Sequence, residues 1–467
     1  MSNQKPKRIL WLSSDHMRYD CISAYGNGGI HTPNLDDLAN HGVNFHQCYC
    51  QAPVCMPSRA SFMTGLYPQQ TGVTNNGYCL SPDFRPFASY SFKAAGYQTA
   101  HIGKLHVQPH DNYDFDPRPH HAYGFDSFWL AEARGCYEDA WMTWLRGRYP
   151  EHVDKLRVPR VLDRTDDEKL GRVIDAPVET THSSWVSHVG KNFIQTHRQT
   201  NLFMHLGFHN PHPPLNPTSA AFAPYQSAAI PLPHFGYEEW KDKPEPLHDM
   251  LKSRETWTHT DLVEYRRYFY ALVTELDLAI GSLMRYLKQE NLLDDTLIVF
   301  MADHGDLCGD HSMTHKGASY YDEIMHTPLI FHWPAGLGQD RRDMCGLVEN
   351  VDILPTLLEI AGGSIPAPVV GRSYAQAIMA GLQPDFRSDV FAYEEPGSAM
   401  LRTERFKYIR YNSTGGEVLY DLDLPEHEVV NVVNRTEYRD ALHEMRERML
   451  CRALQAGRSN QERLFDY

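Results

Sequence analysis

No apolar run in the 467-residue sequence reaches the roughly 20 residues that cross a bilayer. The first, ILWL at 9–12, is also shorter than the core of an export signal, so a cytoplasmic protein with no membrane partner is expected. Positive charge is scarce: 44 Lys and Arg stand against 59 Asp and Glu, a net charge of −15. Such a surface repels a phosphate backbone, which excludes general nucleic-acid binding and requires any anion site to be a local basic cluster. Internal repeats and low-complexity tracts are absent, and 42% hydrophobic with 22% charged residues excludes a disordered or fibrous chain. Cysteines number nine, an odd count at irregular spacing, which reads as reduced thiols rather than a disulfide framework. Cys48-x-Cys50 lacks the second ligand pair that a structural zinc site needs.

The length exceeds what one hydrophobic core serves, so a large α/β domain with a smaller companion is expected. Short apolar runs predict strands at 9–12, 202–206 (LFMHL) and 296–301 (TLIVFM). The first leads into Asp15-His16 and the last into Asp303-His304, so two distant strands deliver Asp-His pairs. Open α/β sheets bind their ligands at that carboxyl edge. After 206 comes GFHNPHPPLNP, whose four prolines predict a rigid loop without regular structure. Leu272, Leu276, Leu283 and Leu287 recur at helical spacing and predict a core helix over 262–289. The aromatic, charged and weakly periodic stretch 109–175 reads as an insertion that shapes a pocket. Pro and Gly at 366–371 mark a boundary, and the chain divides into a domain over 1–375 and a subdomain over 376–467. The subdomain carries antiparallel strands, with a hairpin turning at 413–416, and a terminal helix over 437–456.

The most informative segment is Cys55-Met56-Pro57-Ser58-Arg59, continuing ASFMTGLYP. It resembles the maturation signature of the type I sulfatases, C-x-P-S-R followed by A-S-x-x-T-G, in which the cysteine is oxidised to formylglycine. GYQTAHIGKLH, the PHPP loop, ADHGDLCGDH with Lys316, VDILPTLLEIAG and KYIRY…LYDLDLPEHE extend the resemblance over most of the chain in family order. It implies the alkaline phosphatase superfamily. The fold is then a mixed sheet sandwiched between helices, with a smaller C-terminal α+β subdomain containing a short antiparallel sheet.

The resemblance also implies a mechanism. One hydroxyl of hydrated formylglycine attacks sulfur in line; the other then loses its proton, expels sulfate and regenerates the aldehyde, which splits one hard step into two. Asp15, Asp303, His304 and residue 55 match ligands of one divalent cation. His16 departs from the pattern, since many sulfatases have a second Asp there and the phosphonate monoester hydrolases have Gln. It is either a further ligand or a hydrogen-bonded pocket histidine. Two carboxylates favour calcium, whereas one or two imidazoles favour manganese. Arg59 is expected to orient the diol from the nucleophile's helix. Lys104 and His106 match a K-x-H element in which the ammonium binds a sulfate oxygen and the imidazole takes the diol proton; on an extended segment this spacing puts both on one face. His212 matches the leaving-group acid or sulfate contact, with His209 the competing candidate. Lys316 matches the lysine on sulfate and its bridging oxygen. Asn76 lies where some relatives place a substrate contact, and a turn role for N-N-G is equally open. His182, His311 and His326 carry no assignment.

The expected function is therefore hydrolysis of a sulfate monoester, of a sulfated sugar or an aryl alcohol. A phosphonate monoester hydrolase or phosphodiesterase with the same nucleophile is the closest alternative. A phosphatase with attacking water and unconverted Cys55, and a non-catalytic binder of sulfated glycans, are more distant. The partners implied are a small anionic ester and, during maturation, a formylglycine-generating enzyme; the C-terminal helix and the aromatic insertion offer surfaces for a homo-oligomer.

Overall fold

Strand β1 (Arg8–Asp15) is buried along its whole length. Leu10 and Leu12 pack into the core on one face, Ile9 and Trp11 into the core on the other. A strand covered on both sides has no solvent face, which is why its sequence is a continuous apolar run. The computed structural model describes residues 5–109, 120–132, 139–157, 170–234, 242–252, 257–317, 319–412, 414–425 and 427–457.

The large sheet runs in the order β4 (Ser127–Leu130), β3 (Gln98–Gly103), β5 (Leu202–Pro211), β1, β6 (Thr296–Ala302), β8 (Leu329–His332), β2 (Val43–Tyr49), β7 (His326–Thr327), and β9 (Arg342–Glu349) also pairs with β2. The five strands from β4 to β6 are parallel, so β3, β5, β1 and β6 all end at one edge. Helices His182–Thr196 and His259–Gln289 cover the face of Leu10, and Cys55–Thr64 and Ile353–Ile360 cover the face of Trp11. A second sheet of four antiparallel strands, β10 (Val390–Glu394), β11 (Ser398–Arg402), β12 (Phe406–Tyr411) and β13 (Gly416–Asp421), packs against helix Arg439–Ala456. This is the expected mixed sheet between helices with a small antiparallel sheet after it. Among the described residues no helix is long and apolar enough to cross a membrane.

Two expectations need adjusting. β5 continues through GFHN to Pro211 instead of ending at 206, because the prolines begin only at 211 and β1 supplies a partner as far as Asp15. The stretch 109–175 is more than an insertion, since β4 is the edge strand of the large sheet and Trp141, Met142 and Leu145 enter its core. Parts of that stretch and residue 413 of the expected turn lie outside the described residues.

Beneath the sheet's carboxyl edge, His101 of β3 and His205 of β5 face each other in register, with Nδ1 to Nδ1 2.9 Å apart. His101 Nε2 donates to the Gly103 carbonyl at 3.0 Å, so its Nδ1 accepts from His205, whose Nε2 in turn accepts from Ser13 Oγ at 2.8 Å. Every atom in the chain is satisfied only while both rings are neutral. Burial pushes His101 down to about 3; the Gly103 carbonyl resists the shift and Arg59 adds to it. An unfolded histidine takes its proton near 6.5, so this native state loses stability as pH falls from about 6.5 toward 3. At about 1.4 kcal/mol per pH unit the loss by pH 4.5 is roughly 2–3 kcal/mol for His101 alone. Urea unfolding at pH 7 and 4.5 checks this against His101→Gln, which still accepts from His205 but cannot protonate. The variant is expected to lose less between the two pH values; parallel losses would refute the account.

Candidate active site

Parallel pairing brings the candidate residues together. Asp15 ends β1, Asp303 and His304 follow β6, Lys104 follows β3 and His212 follows β5. Lys104 is delivered by a close approach of strands: its N–H donates to the Gly207 carbonyl at 2.8 Å, and a Cβ on Gly207 would lie 1.9 Å from the Lys104 oxygen. Cys55 opens helix Cys55–Thr64, every residue of which is buried. Arg59, one turn on, points back beneath it, as its i+4 position requires.

Cys55 Sγ lies 2.6 Å from Lys316 Nζ, 3.2 Å from His304 Nε2 and 3.6 Å from Asp15 Oδ1. His304 Nδ1 donates to the Gly305 carbonyl at 2.8 Å, so the lone pair on Nε2 faces the sulfur. Asp303 Oδ2 accepts from Arg59 Nε at 2.7 Å, while its Oδ1 accepts the backbone N–H groups of His16 and His304 at 3.1 and 2.9 Å. Asp15 Oδ2 is 2.5 Å from Lys104 Nζ and 3.9 Å from Arg59 Nη2. The Asp303 carbonyl is held by Ser58 Oγ at 2.6 Å. Lys316 Nζ also touches His16 Nε2 and lies 3.5 Å from His212 Nε2, so one ammonium reaches Cys55 and both imidazoles.

The charges act against burial. Burial raises the Asp15 carboxyl, but Lys104, His212 and Arg59 outweigh it and hold it well below the usual carboxylate range. Lys104 is held above its ordinary value: burial works against its charge, and Asp15 overcomes it. Cys55 is pushed up to about 11, by burial first and the Asp15 carboxylate second, against the pull of Lys316 and Lys104. A thiol at this position is therefore protonated near neutral pH. Burial lowers His212 well below 6.5, with Asp15 opposing and the two lysines adding to the shift. His212 Nδ1 donates to the Pro213 carbonyl at 2.6 Å, which turns Nε2 toward Lys316.

Asp15, His16, Cys55, Arg59, Lys104, His212, Asp303, His304 and Lys316 thus converge. His106 is placed differently from the reasoning offered for it: β3 ends at Gly103, and with φ at +98° for Gly103 and +52° for His106 the K-x-H segment is not extended. The His106 N–H donates to Glu132 Oε1 at 2.9 Å. Asn76 supports the start of helix Cys55–Thr64, its Oδ1 accepting the Met56 N–H at 3.0 Å. His209 is buried beside His212, ring centroids 4.8 Å apart. Of the unassigned histidines, His182 Nε2 bonds the Ala131 carbonyl, His311 stacks on Tyr321 and His326 stacks between Tyr19 and Tyr49.

Two residues escaped the sequence reading. Glu132, beside Lys104 and beneath His106, is pushed up to about 7 by burial, with Lys104 opposing; only the fold brings it there. Asp306 binds His16 Nδ1 at 3.2 Å, and its place in ADHGD, three residues after Asp303, was a visible signal.

Carboxylates and imidazoles at one parallel-strand edge, ringed by cationic side chains and closed by the first residue of a buried helix, make a site suited to hydrolysis of an anionic ester. A sulfatase family profile matches residues 7–364, and one for the C-terminal part of N-sulphoglucosamine sulphohydrolase matches 309–455. The chain belongs to the sulfatase family, within the alkaline phosphatase superfamily, and is a sulfuric ester hydrolase. An arylsulfatase of Clostridium perfringens is 28% identical over 95% of this chain and 93% of its own. A multifunctional alkaline phosphatase superfamily protein of Trinickia caryophylli is 26% identical over 92% of each. Among solved structures, a phosphonate monoester hydrolase of Agrobacterium radiobacter superposes with a TM-score of 0.82 at 26% identity, covering 97% of this chain and 96% of that one.

Proposed function

We propose that this enzyme cleaves the sulfate monoester of a small alcohol, a sulfated sugar or an aryl alcohol, through formylglycine made from Cys55 and with one divalent cation. The observation that carries the reading is the position of Cys55, at a helix start in contact with Lys316, His304 and Asp15. Its raised thiol is a weak nucleophile as it stands, which supports conversion by a formylglycine-generating enzyme before turnover. In this structure Sγ marks the place of the oxygens that hydrated formylglycine would carry.

The residues fit a divalent cation. Asp15, Cys55, Asp303 and His304 are all buried, with ligand atoms within 4.8 Å of one another. The Asp15 and Asp303 oxygens turned away from that centre are already bound by Lys104 and Arg59. A cation there would neutralise the ester's oxygens and polarise the attacking hydroxyl. The side chains do the rest. Lys104, which is buried, and Lys316, which is partly buried, bind equatorial oxygens of the ester as fixed charges. Lys316 also reaches the leaving-oxygen side, next to His212. His212, with Nδ1 fixed on Pro213, presents Nε2 to the leaving alcohol, and it donates there once the negative charge of the bound ester offsets the burial and the lysines that keep it neutral in the free site. Arg59 ties its helix to Asp303 and to the Lys104 carbonyl.

Phosphonate ester hydrolysis is the second reading, supported by the superposition on the Agrobacterium enzyme and by the histidine at 304. The two separate on kcat/KM for nitrophenyl sulfate against a nitrophenyl phosphonate monoester, measured on metal-replete protein whose Cys55 conversion is confirmed. Sulfate is expected to be preferred at least about tenfold, or about 1.4 kcal/mol of transition-state stabilisation. The reverse preference would move the substrate to the phosphonates and leave the nucleophile in place.

A further inference from the structure

Beyond Gly103 the chain leaves the sheet, and the residues that carry Lys104 need other partners. Gly103 turns the backbone at φ +98°, and His106 lies in the left-handed region at φ +52°. Between them Lys104 and Leu105 are buried, and buried N–H and C=O groups have to be paired. Residue 104 is held by its neighbours across the sheet: its N–H donates to the Gly207 carbonyl at 2.8 Å, and its carbonyl accepts from Arg59 Nη1 at 3.2 Å. The next two N–H groups go to one side chain instead. Glu132 Oε1 accepts the His106 N–H at 2.9 Å, and the Leu105 N–H bonds the same carboxyl. Glu132 is itself fixed from behind. The preceding residue, Ala131, donates its N–H to the Gly103 carbonyl at 2.9 Å, and the Ala131 carbonyl accepts from His182 Nε2 at 3.1 Å. His182, which had no assignment, is the first residue of the covering helix His182–Thr196 and is fully buried.

We infer that Glu132 is a positioning residue: its carboxyl does for Leu105 and His106 what a neighbouring strand does for residue 104, closes the turn over 103–106, and so sets where the Lys104 ammonium lies. The inference rests on Lys104 binding the ester, as in the proposed function, and adds the group that places it. A side chain suits this task because a turn with two left-handed residues cannot continue a ladder. A carboxyl only 2% exposed is costly unless bound, and the two amides are what binds it. Its charge state suits the task as well. Burial raises the Glu132 carboxyl against the opposing pull of Lys104, so near neutral pH much of it is uncharged and it competes little with an anionic ester for the ammonium. Lys104 Nζ stays on Asp15 Oδ2, 2.5 Å away.

The test compares Glu132→Ala, which removes the acceptor, with Glu132→Gln, whose amide oxygen can take the same two N–H groups, each in the full chain. Two quantities are read: hydrogen exchange of the amides in the 104–108 segment by mass spectrometry, and kcat/KM for nitrophenyl sulfate on metal-replete, converted protein. Glu132→Ala is expected to speed that exchange at least about tenfold and to lower kcat/KM roughly 10²-fold, the scale of moving a binding group by about 1 Å. Glu132→Gln is expected to recover most of both. Lys104→Ala separates positioning from general damage. With the ammonium gone, adding Glu132→Ala should lower kcat/KM by less than about threefold more, because the two act as one unit, whereas general damage would take the same roughly 10²-fold in either background. Wild-type exchange in Glu132→Ala, equal losses in the alanine and glutamine variants, or losses that multiply in the double variant would overturn the assignment. Should Glu132→Ala fail to fold, Glu132→Asp carries the test. It draws the oxygens back by one methylene, so exchange quickens and kcat/KM falls if Glu132 holds the turn, and both stay at the wild-type level if it does not. A wild type that leaves nitrophenyl sulfate intact would strike the sulfate ester reading, while the exchange measurement still decides whether Glu132 holds the segment; unchanged exchange with turnover intact would strike this inference alone.

Discussion

Substituting Cys55 by alanine is expected to lower kcat for nitrophenyl sulfate by at least about 10⁴-fold, the scale of losing a covalent nucleophile. Cys55 is the first residue of its helix, and its sulfur meets Lys316, His304 and Asp15. Alanine favours the helix and leaves those charges to pair with one another, so the variant folds with a melting temperature near that of wild type and the loss falls on chemistry. Intact mass gives an independent check. Replacing the thiol sulfur and two hydrogens by an aldehyde oxygen lowers the mass by about 18 Da, and activity is expected to follow the converted fraction. Full turnover from unconverted protein, or from the alanine variant, would remove residue 55 as the nucleophile and favour attack by water.

How much of this site was legible before the fold was known depended on where each residue gets its position. Asp15 and Asp303 were readable because each sits where an apolar run stops, and parallel strands buried on both faces put such stops at one edge. Arg59 was readable because the family signature implies a helix from residue 55, and helical spacing then places it beneath that residue. Lys104, His212 and Lys316 stood only on resemblance to a family pattern: a lysine or histidine in a loop carries no local sign of being buried, and here β3, β5 and the loop after β6 bring them together across the sheet. His106 shows the limit of period arguments. Alternation holds only while the backbone stays extended, and a left-handed glycine at 103 ends it. Glu132 had no sequence signal because its role is made by tertiary contact, and β4 was hidden in a stretch too short and aromatic to alternate clearly. The hairpin and terminal helix of the C-terminal part were visible because turn residues and amphipathic spacing are local properties.

Arg59→Ala is expected to cost stability and activity together, which separates it from Cys55→Ala. Its guanidinium is fully buried and supplies Asp303 Oδ2 at 2.7 Å, the Lys104 carbonyl at 3.2 Å and the outer oxygen of Asp15 at 3.9 Å. Burial alone would lower its pKa; Asp303 and Asp15 raise it beyond that, so the group stays charged throughout the range in which the protein folds. Removing it leaves two buried carboxylates with Lys104 as the nearest cation, and breaking a buried pair from one side costs about 3–5 kcal/mol. Urea unfolding of the metal-free protein should show that loss. Arg59→Lys should recover only part of it, because an ammonium restores the charge without the planar fork that reaches Asp303 and the Lys104 carbonyl together. Saturating Mn2+ should raise the stability of Arg59→Ala by binding the folded state alone, and each tenfold excess over the dissociation constant adds about 1.4 kcal/mol. With kcat on nitrophenyl sulfate expected to fall roughly 10²- to 10³-fold even when the metal is saturating, the outcome has two independent readings. A stability loss under about 1 kcal/mol would show that Lys104 alone balances the carboxylates; an unchanged kcat would confine Arg59 to holding the nucleophile helix in place.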